Sequence, residues 1–590
     1  MQWWTQSSSL DHRPRSSSRS FGLIIRYWSA MEINSSSSGS SSSSSGVGDK
    51  NFIQVSGIDA SPSPSSSSLL MVIAHGSGSA SWMISIALLL AWWVFLHRLR
   101  QRHLAGPKTW PLLGCIVEQA RNFDKLHDWL LGYFNKTLTF SVPMATINNT
   151  FTANPANVEY ILKTNFNNFP KGDKLCGRFE DLMGQGIFTV DGERWIHQRK
   201  VATAEFASSK LRDYSIHTFR DKALRLVKVL DSASRSGKQV DLQDLFMRLT
   251  LDSICTVGFG VGVGCLSPDL PFVPFAAAFD EAMRLIIRRY VDVFWKIKRA
   301  ASIGSEARLA QCLKVVDSFL YQVINRRREE MKRLSSEARA DLLSRFMVLE
   351  GEEAYTDKML RDVVMNFMVA GRDTTALTLS WFFSELCKHP EVADKIVAEV
   401  SQVLGSKQQK IPKISDRSSS FDYGLEQEIL DLAELLDYQT LNKMQYLHAA
   451  LTEALRLYPA VPLDTKQVIE DDTLPDGTKV RAGQFVSYVP YSMGRLEHIW
   501  GPDATEFKPE RWLNSSGVYQ PQSPYKFTTF QAGPRMCLGK DSAYLQMKMT
   551  TVMLLKLFNF SLVEGQSLDY RMMAVLYIAD GVQAKVTRRE

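Results

Sequence analysis

Among these 590 residues, the chemistry is most legible around one cysteine. Cys537 lies in Phe530-Gln531-Ala532-Gly533-Pro534-Arg535-Met536-Cys537-Leu538-Gly539, between two glycines, two residues after an arginine and just ahead of an amphipathic run from Ala543 to Phe558. That order predicts a tight loop delivering a thiolate at a helix N-terminus, where backbone N–H groups and the helix dipole favour negative charge. Gly533 and Gly539 carry no Cβ and would let the backbone approach a flat ligand. Arg535 would meet an anionic group of that ligand. Read in isolation, the same cysteine is more readily a buried structural thiol after a turn.

Three further constellations bear on that choice. In Ala370-Gly371-Arg372-Asp373-Thr374-Thr375 a glycine and two β-branched residues interrupt the long apolar helical run Lys358 to Cys387, at a propensity cost of about 1–2 kcal/mol. Threonine hydroxyls can bond back to carbonyls one turn earlier. With Gly371 removing bulk, the expected result is a notch lined by the Thr374 alcohol and the Asp373 carboxylate, as proton delivery in an apolar pocket requires. A packed core helix with a satisfied threonine is the plain alternative. Glu453 and Arg456, spaced i,i+3, share a helix face, and Arg511 in Phe507-Lys508-Pro509-Glu510-Arg511-Trp512 could reach the same carboxylate. Such a buried Arg–Glu–Arg cluster would be structural and would fix the cysteine loop. Trp195 and Arg199, one turn apart, offer an indole N–H and a guanidinium suited to a carboxylate; an exposed amphipathic helix explains them as well.

These residues need a body to position them. From about Leu112 the chain reads as mainly helical. A hairpin is expected over Thr137–Thr152 and a short helix over Asn157–Lys163. Another helix opens at Asp191, and helical periodicity covers Val240–Thr256, Phe275–Arg299 and Glu306–Arg333. Residues 405–424 read as a flexible polar insert, Leu474–Val480 as a hairpin with an Asp-Gly turn, and Gln484–Val489 as a strand. Ahead of this body, residues 1–68 form a Ser-rich extension expected to be disordered, with Met31 or Met71 as more ordinary starts. No charged residue occurs from Ser61 to Leu96, and residues 78–96 are apolar and long enough to span a bilayer. His97, Arg98, Arg100, Arg102 and His103 follow, which places the body in the cytosol, after a basic, Pro-rich linker over 97–111.

Composition excludes several classes. A net charge of +7 without a basic stripe argues against nucleic acid. Seven scattered cysteines with no Cys-x-x-Cys exclude a disulfide framework, zinc ribbons and cysteine-ligated iron–sulfur clusters. No Walker loop, dinucleotide fingerprint, H-E-x-x-H or G-x-S-x-G occurs, so any reducing cofactor must be served by another protein.

The F-x-x-G-x-R-x-C-x-G setting of Cys537, Ala370–Thr375, Glu453 with Arg456, Pro509–Arg511 and Trp195 with Arg199 stand in one chain in this order. Together they resemble the haem-thiolate monooxygenases, the cytochromes P-450, over roughly residues 106–590. The resemblance implies a single, mainly α, triangular domain with small β-sheets (112–590) behind an N-terminal transmembrane helix, holding haem b. It implies Cys537 as axial thiolate to the iron, Arg535, Trp195, Arg199 and Lys466 toward the haem propionates, and Phe530 against the cofactor. Asp373 and Thr374 would supply protons for dioxygen activation. Electrons would come from NADPH through a flavoprotein reductase, docked with the help of Lys540 and Lys548, at the endoplasmic reticulum membrane.

Gly106–Pro111, Val158–Phe166, Tyr488–Arg495 and Lys540–Lys548 look like the plant fatty-acid ω-hydroxylase clan, in particular its sporopollenin-associated branch. That implies a long-chain fatty acid substrate lying along Phe367, Ala370, Val461, Leu463, Leu576 and Tyr577. Val461-Pro462-Leu463-Asp464 departs from the amide and proline expected there. The rival readings are an in-chain hydroxylase, a haem-thiolate hydroperoxide isomerase or dehydratase, and a non-catalytic membrane scaffold.

Overall fold

A computed structural model describes residues 66–100, 106–144, 147–333, 341–348, 355–408 and 421–589. The Ser-rich extension therefore lies outside the described residues except at 66–68; of the polar insert expected at 405–424, residues 409–420 do too, while its two ends belong to the helices Pro390–Gln408 and Phe421–Leu435. The chain falls into two compact units, Met1–Ile84 and Ser85–Glu590.

A 35-residue helix, Ser66–Arg100, carries the apolar segment. Its window Trp82–Leu99 is long and apolar enough to cross a membrane, and none of that window is buried by protein. Trp82 and Leu89 are 74% and 67% exposed, a large uncovered apolar surface that a bilayer would desolvate. Where the helix ends, the Arg98 guanidinium sits 4.2 Å over the Trp110 ring.

The second unit is mostly helical and is organised on the Asp357–Lys388 helix, capped by Thr356 accepting the Met359 N–H at 3.3 Å. Buried residues cover nearly its whole circumference, as its continuous apolar run requires. It packs along the Leu242–Phe259 helix, whose start is fixed by Asp241 accepting from Gln243 N and whose end is Gly260 at φ +68°. The expected helix from Val240 loses its first two residues to a strand, Val240–Asp241.

The run Phe275–Arg299 is also not one helix. Pro274–Arg288 and Trp295–Ala300 are separated where buried Arg289 turns to Glu306 (2.6 Å) and Asp181 (2.7 Å), and where Asp292 accepts the Phe294 N–H.

Four strands form the largest sheet, ordered Thr139–Met144, Ile147–Thr152, Phe485–Tyr488, Asp464–Gln467. The outer pairings are antiparallel and the central one is parallel. The expected first hairpin and the strand over 484–489 are thus present. So is the Asp-Gly turn, with Gly477 at φ +85° between Asp472–Thr473 and Lys479–Val480. The helix after the cysteine, Lys540–Leu557, is buried almost continuously from Tyr544 onward and is not amphipathic.

Candidate active site

A cavity of about 500 Å³ separates the cysteine loop from the Asp357–Lys388 helix. The loop is held by its own backbone. Cys537 N–H donates to Phe530 O at 2.9 Å, Met536 N–H to Gly533 O at 3.1 Å, and Ala543 N–H to Gly539 O at 2.8 Å, where the helix begins. Gly533 sits at φ +65°, and a Cβ there would come 2.0 Å from Leu162 O, so only glycine closes this turn.

All seven cysteines are free, and Cys537 alone is exposed, onto the cavity that its sulfur lines. Burial pushes its thiol above the ordinary value, against the Gly539 N–H and the charges of Arg199 and Lys540.

Cations gather beside the loop. Arg199, on the Gly192–Phe206 helix, donates to Met536 O at 2.6 Å. The Arg535 guanidinium stacks 4.4 Å over the Trp195 ring and pairs with Asp191. Trp195 thus serves Arg535 as a platform and does not act simply as Arg199's neighbour. Lys466 is 1% exposed on the Asp464–Gln467 strand, 3.1 Å from Asp464; burial pulls its amine down to about 8 while Asp464 acts against that. Phe530 lines the cavity and lies 5.5 Å from the Tyr544 ring.

Across the cavity, Thr374 Oγ1 donates to Ala370 O at 2.6 Å, the expected back-bond, and the helix continues through it unbroken. Gly371 also lines the cavity, but its small size serves packing first: a Cβ would meet Ile254 Cδ1 at 2.6 Å. Asp373 is not part of the cavity wall. Its carboxylate accepts from Arg372 at 2.9 Å, and Arg372 reaches Asp280 at 2.6 and 3.2 Å. Burial raises the Asp373 carboxyl to about 7 in spite of Arg372. Consecutive helical residues point about 100° apart, so alcohol and acid leave the helix in different directions. Asp280 in turn borders a second, polar cavity of about 200 Å³ with Glu281, Arg284, Arg571 and Tyr577.

The brace forms as its residues suggested. Glu453 accepts from Arg456 at 2.7 Å and from Arg511 at 3.2 Å, and Arg456 continues to the Glu506 carbonyl at 2.9 Å. Sequence reasoning missed the Trp512 indole N–H on the same carboxylate at 2.9 Å and the Lys508 backbone N–H at 3.0 Å.

Two other expectations fail. Lys548 is 3% exposed and donates to the Leu441 and Met444 carbonyls at 2.9 and 3.1 Å, so it cannot dock a partner. Of the channel residues, Phe367, Ala370 and Val461 line the cavity; Leu463 and Leu576 do not, and Tyr577 faces the polar cavity.

The donor set fits haem. Cys537 lines the cavity, glycine closes the loop beneath it, and Arg199 and Arg535 on the cavity wall match a ligand with two carboxylates, while Lys466 lies behind Asp464 and off that wall. Among the described residues no cluster of three His, Cys, Asp or Glu side chains offers another metal site.

A family model described as "Cytochrome P450" matches residues 104–586. The chain is 48% identical over 518 residues to cytochrome P450 704B1 of Arabidopsis thaliana, a match spanning 85% of this chain and 99% of that protein. It is 46% identical over 491 residues to cytochrome P450 704C1 of Pinus taeda, spanning 81% and 92%. To cytochrome P450 86B1 of Arabidopsis thaliana it is 41% identical over 518 residues, spanning 85% and 90%. The chain belongs to the cytochrome P450 family of haem-thiolate monooxygenases.

Proposed function

We propose that the chain is a membrane-anchored ω-hydroxylase of long-chain fatty acids, feeding a sporopollenin- or cutin-type lipid polymer. The observation that carries this reading is the cavity, whose apolar walls (Phe188, Phe206, Leu211, Phe219, Ile254, Phe367) converge on Thr374 and Cys537. Such walls desolvate an alkyl chain at about 0.8 kcal/mol per CH₂ and give it little polar competition.

Bound haem would supply oxygen activation and the hydroxylation of an unactivated C–H bond. Cys537 Sγ would hold its iron. Arg535, stacked on Trp195, would act with Arg199 and Lys466 on the haem carboxylates, and Phe530 would pack against the cofactor from the cavity wall. Thr374 holds a proton at its Oγ1 within the cavity. Asp373 faces away from the cavity toward Arg372, so its part in proton supply would run through that ion pair and not through contact with Thr374. Electrons come from NADPH through a flavoprotein reductase. Residues 78–96 anchor the protein in the endoplasmic reticulum membrane, 97–111 form the linker, and the catalytic body from 112 faces the cytosol; the uncovered Trp82–Leu99 helix and the arginines after it support this.

Microsomes containing the chain and a plant reductase, given NADPH and fatty acids of graded length, should yield terminally hydroxylated products. Products hydroxylated only within the chain would overturn the ω assignment, and NADPH-independent turnover of fatty acid hydroperoxides would overturn the monooxygenase reading of the substrate. Cys537→Ala should abolish the thiolate-type band of the reduced, carbon monoxide-treated protein. Its persistence would remove Cys537 as ligand.

A further inference from the structure

Asp464 has no place in the roles above, yet it is buried on the cavity wall among the cations. Residues 464 and 466 alternate inward on one face of their strand. A single oxygen of Asp464, Oδ2, accepts three hydrogen bonds: from Gln531 Nε2 at 2.6 Å, the Tyr488 hydroxyl at 2.8 Å and Lys466 Nζ at 3.1 Å. Tyr488 stands opposite Asp464 in the sheet register and is fully enclosed.

Gln531 is the unusual partner. It occupies the left-handed region at φ +56° without being glycine, a conformation that persists only where the surroundings hold it. Its remaining polar side-chain atom, Oε1, is buried without a hydrogen bond, so the tie to Asp464 is that side chain's polar anchorage. Gln531 directly follows Phe530, whose carbonyl accepts the Cys537 N–H at 2.9 Å.

We propose that Asp464 is a positioning residue for the cysteine loop: it locks the strained Gln531, and through it the Phe530–Cys537 hydrogen bond, to the sheet that carries Lys466. The arrangement resembles the Glu453 brace in kind but acts from the cavity side of the loop. It rests on Cys537 as the haem ligand.

The test uses full-length protein in membranes and reads the reduced carbon monoxide spectrum as the ratio of the thiolate-type band to the protonated-thiol-type band, together with haem retention. Asp464→Ala and Gln531→Ala should each lower that ratio about fivefold, the equivalent of one buried hydrogen bond. The double variant should be no worse than either single one. Asp464→Asn, which keeps an acceptor oxygen, should stay within about twofold of the parent. An unchanged ratio in the alanine variants, multiplying effects in the double variant, or an asparagine variant as impaired as alanine would each overturn the proposal. If Asp464→Ala does not accumulate, Gln531→Ala carries the test alone, with the same expected loss and the same overturning result. A parent protein without the thiolate band would instead refute the ligand assignment of Cys537.

Discussion

Two buried ion clusters in this molecule use the same residue types and behave differently. Around Glu453 the ledger of hydrogen bonds is full: two arginines, an indole N–H and a backbone N–H converge on a carboxylate that is 0% exposed. Around Asp373 it is not. Arg372 keeps a buried Nε without a partner, and the far end of the cluster, Asp280, has a side chain 34% exposed beside a polar cavity. A saturated network in low dielectric is rigid, while one with spare donors and a route to solvent can change state. The first cluster suits a brace and the second a proton store, although each is built from Asp or Glu against Arg.

The largest effect should come from breaking the brace. Glu453→Ala leaves Arg456 and Arg511 without their shared carboxylate, a cost of about 3–5 kcal/mol, seen as loss of folded, haem-containing protein on expression. Normal haem content in that variant would erase the distinction between the clusters.

The notch offers an intermediate test. Thr374→Ala removes only a back-bond within a continuous helix, so thermal stability should hold, while hydroxylated product per NADPH consumed falls at least about tenfold. Unaltered coupling would take Thr374 out of proton delivery.

The smallest effect sharpens the contrast by pH. Burial raises the folded-state Asp373 carboxyl to about 7, above its unfolded value. Its contribution to stability is therefore complete at low pH and is lost as pH rises through that value. Asp373→Asn should match the parent near about pH 4 and melt higher by roughly 1–3 °C near about pH 8. A gap that does not change with pH would take Asp373 out of the role of proton store.

What could be read in advance rested on local chemistry. The Asp-Gly turn needs a left-handed glycine, and Gly477 supplies it. Glu453 with Arg456 needs only the helical repeat, whereas Gly533, expected to admit a flat ligand, is required by the Leu162 carbonyl behind it, a contact no local pattern shows. Lys548 shows the limit of that reasoning. A lysine near the cysteine loop reads as surface charge, but its ammonium group is enclosed where the Tyr438–Lys443 helix ends, donating to carbonyls more than a hundred residues distant in the chain. The same limit hid the tie between Asp464 and Gln531, which are separated by 67 positions.

The amino-acid sequence by itself determined the cysteine motif that carries the resemblance to haem-thiolate enzymes, the long apolar segment and the Glu453–Arg456 pair, because each depends on residue types at short spacing. Only the tertiary structure decided that Asp373 turns from the cavity toward Asp280, that Lys548 is internal and that Asp464 joins the sheet to the cysteine loop. Direction around a helix and partners across distant segments are set by packing, and no local spacing encodes them.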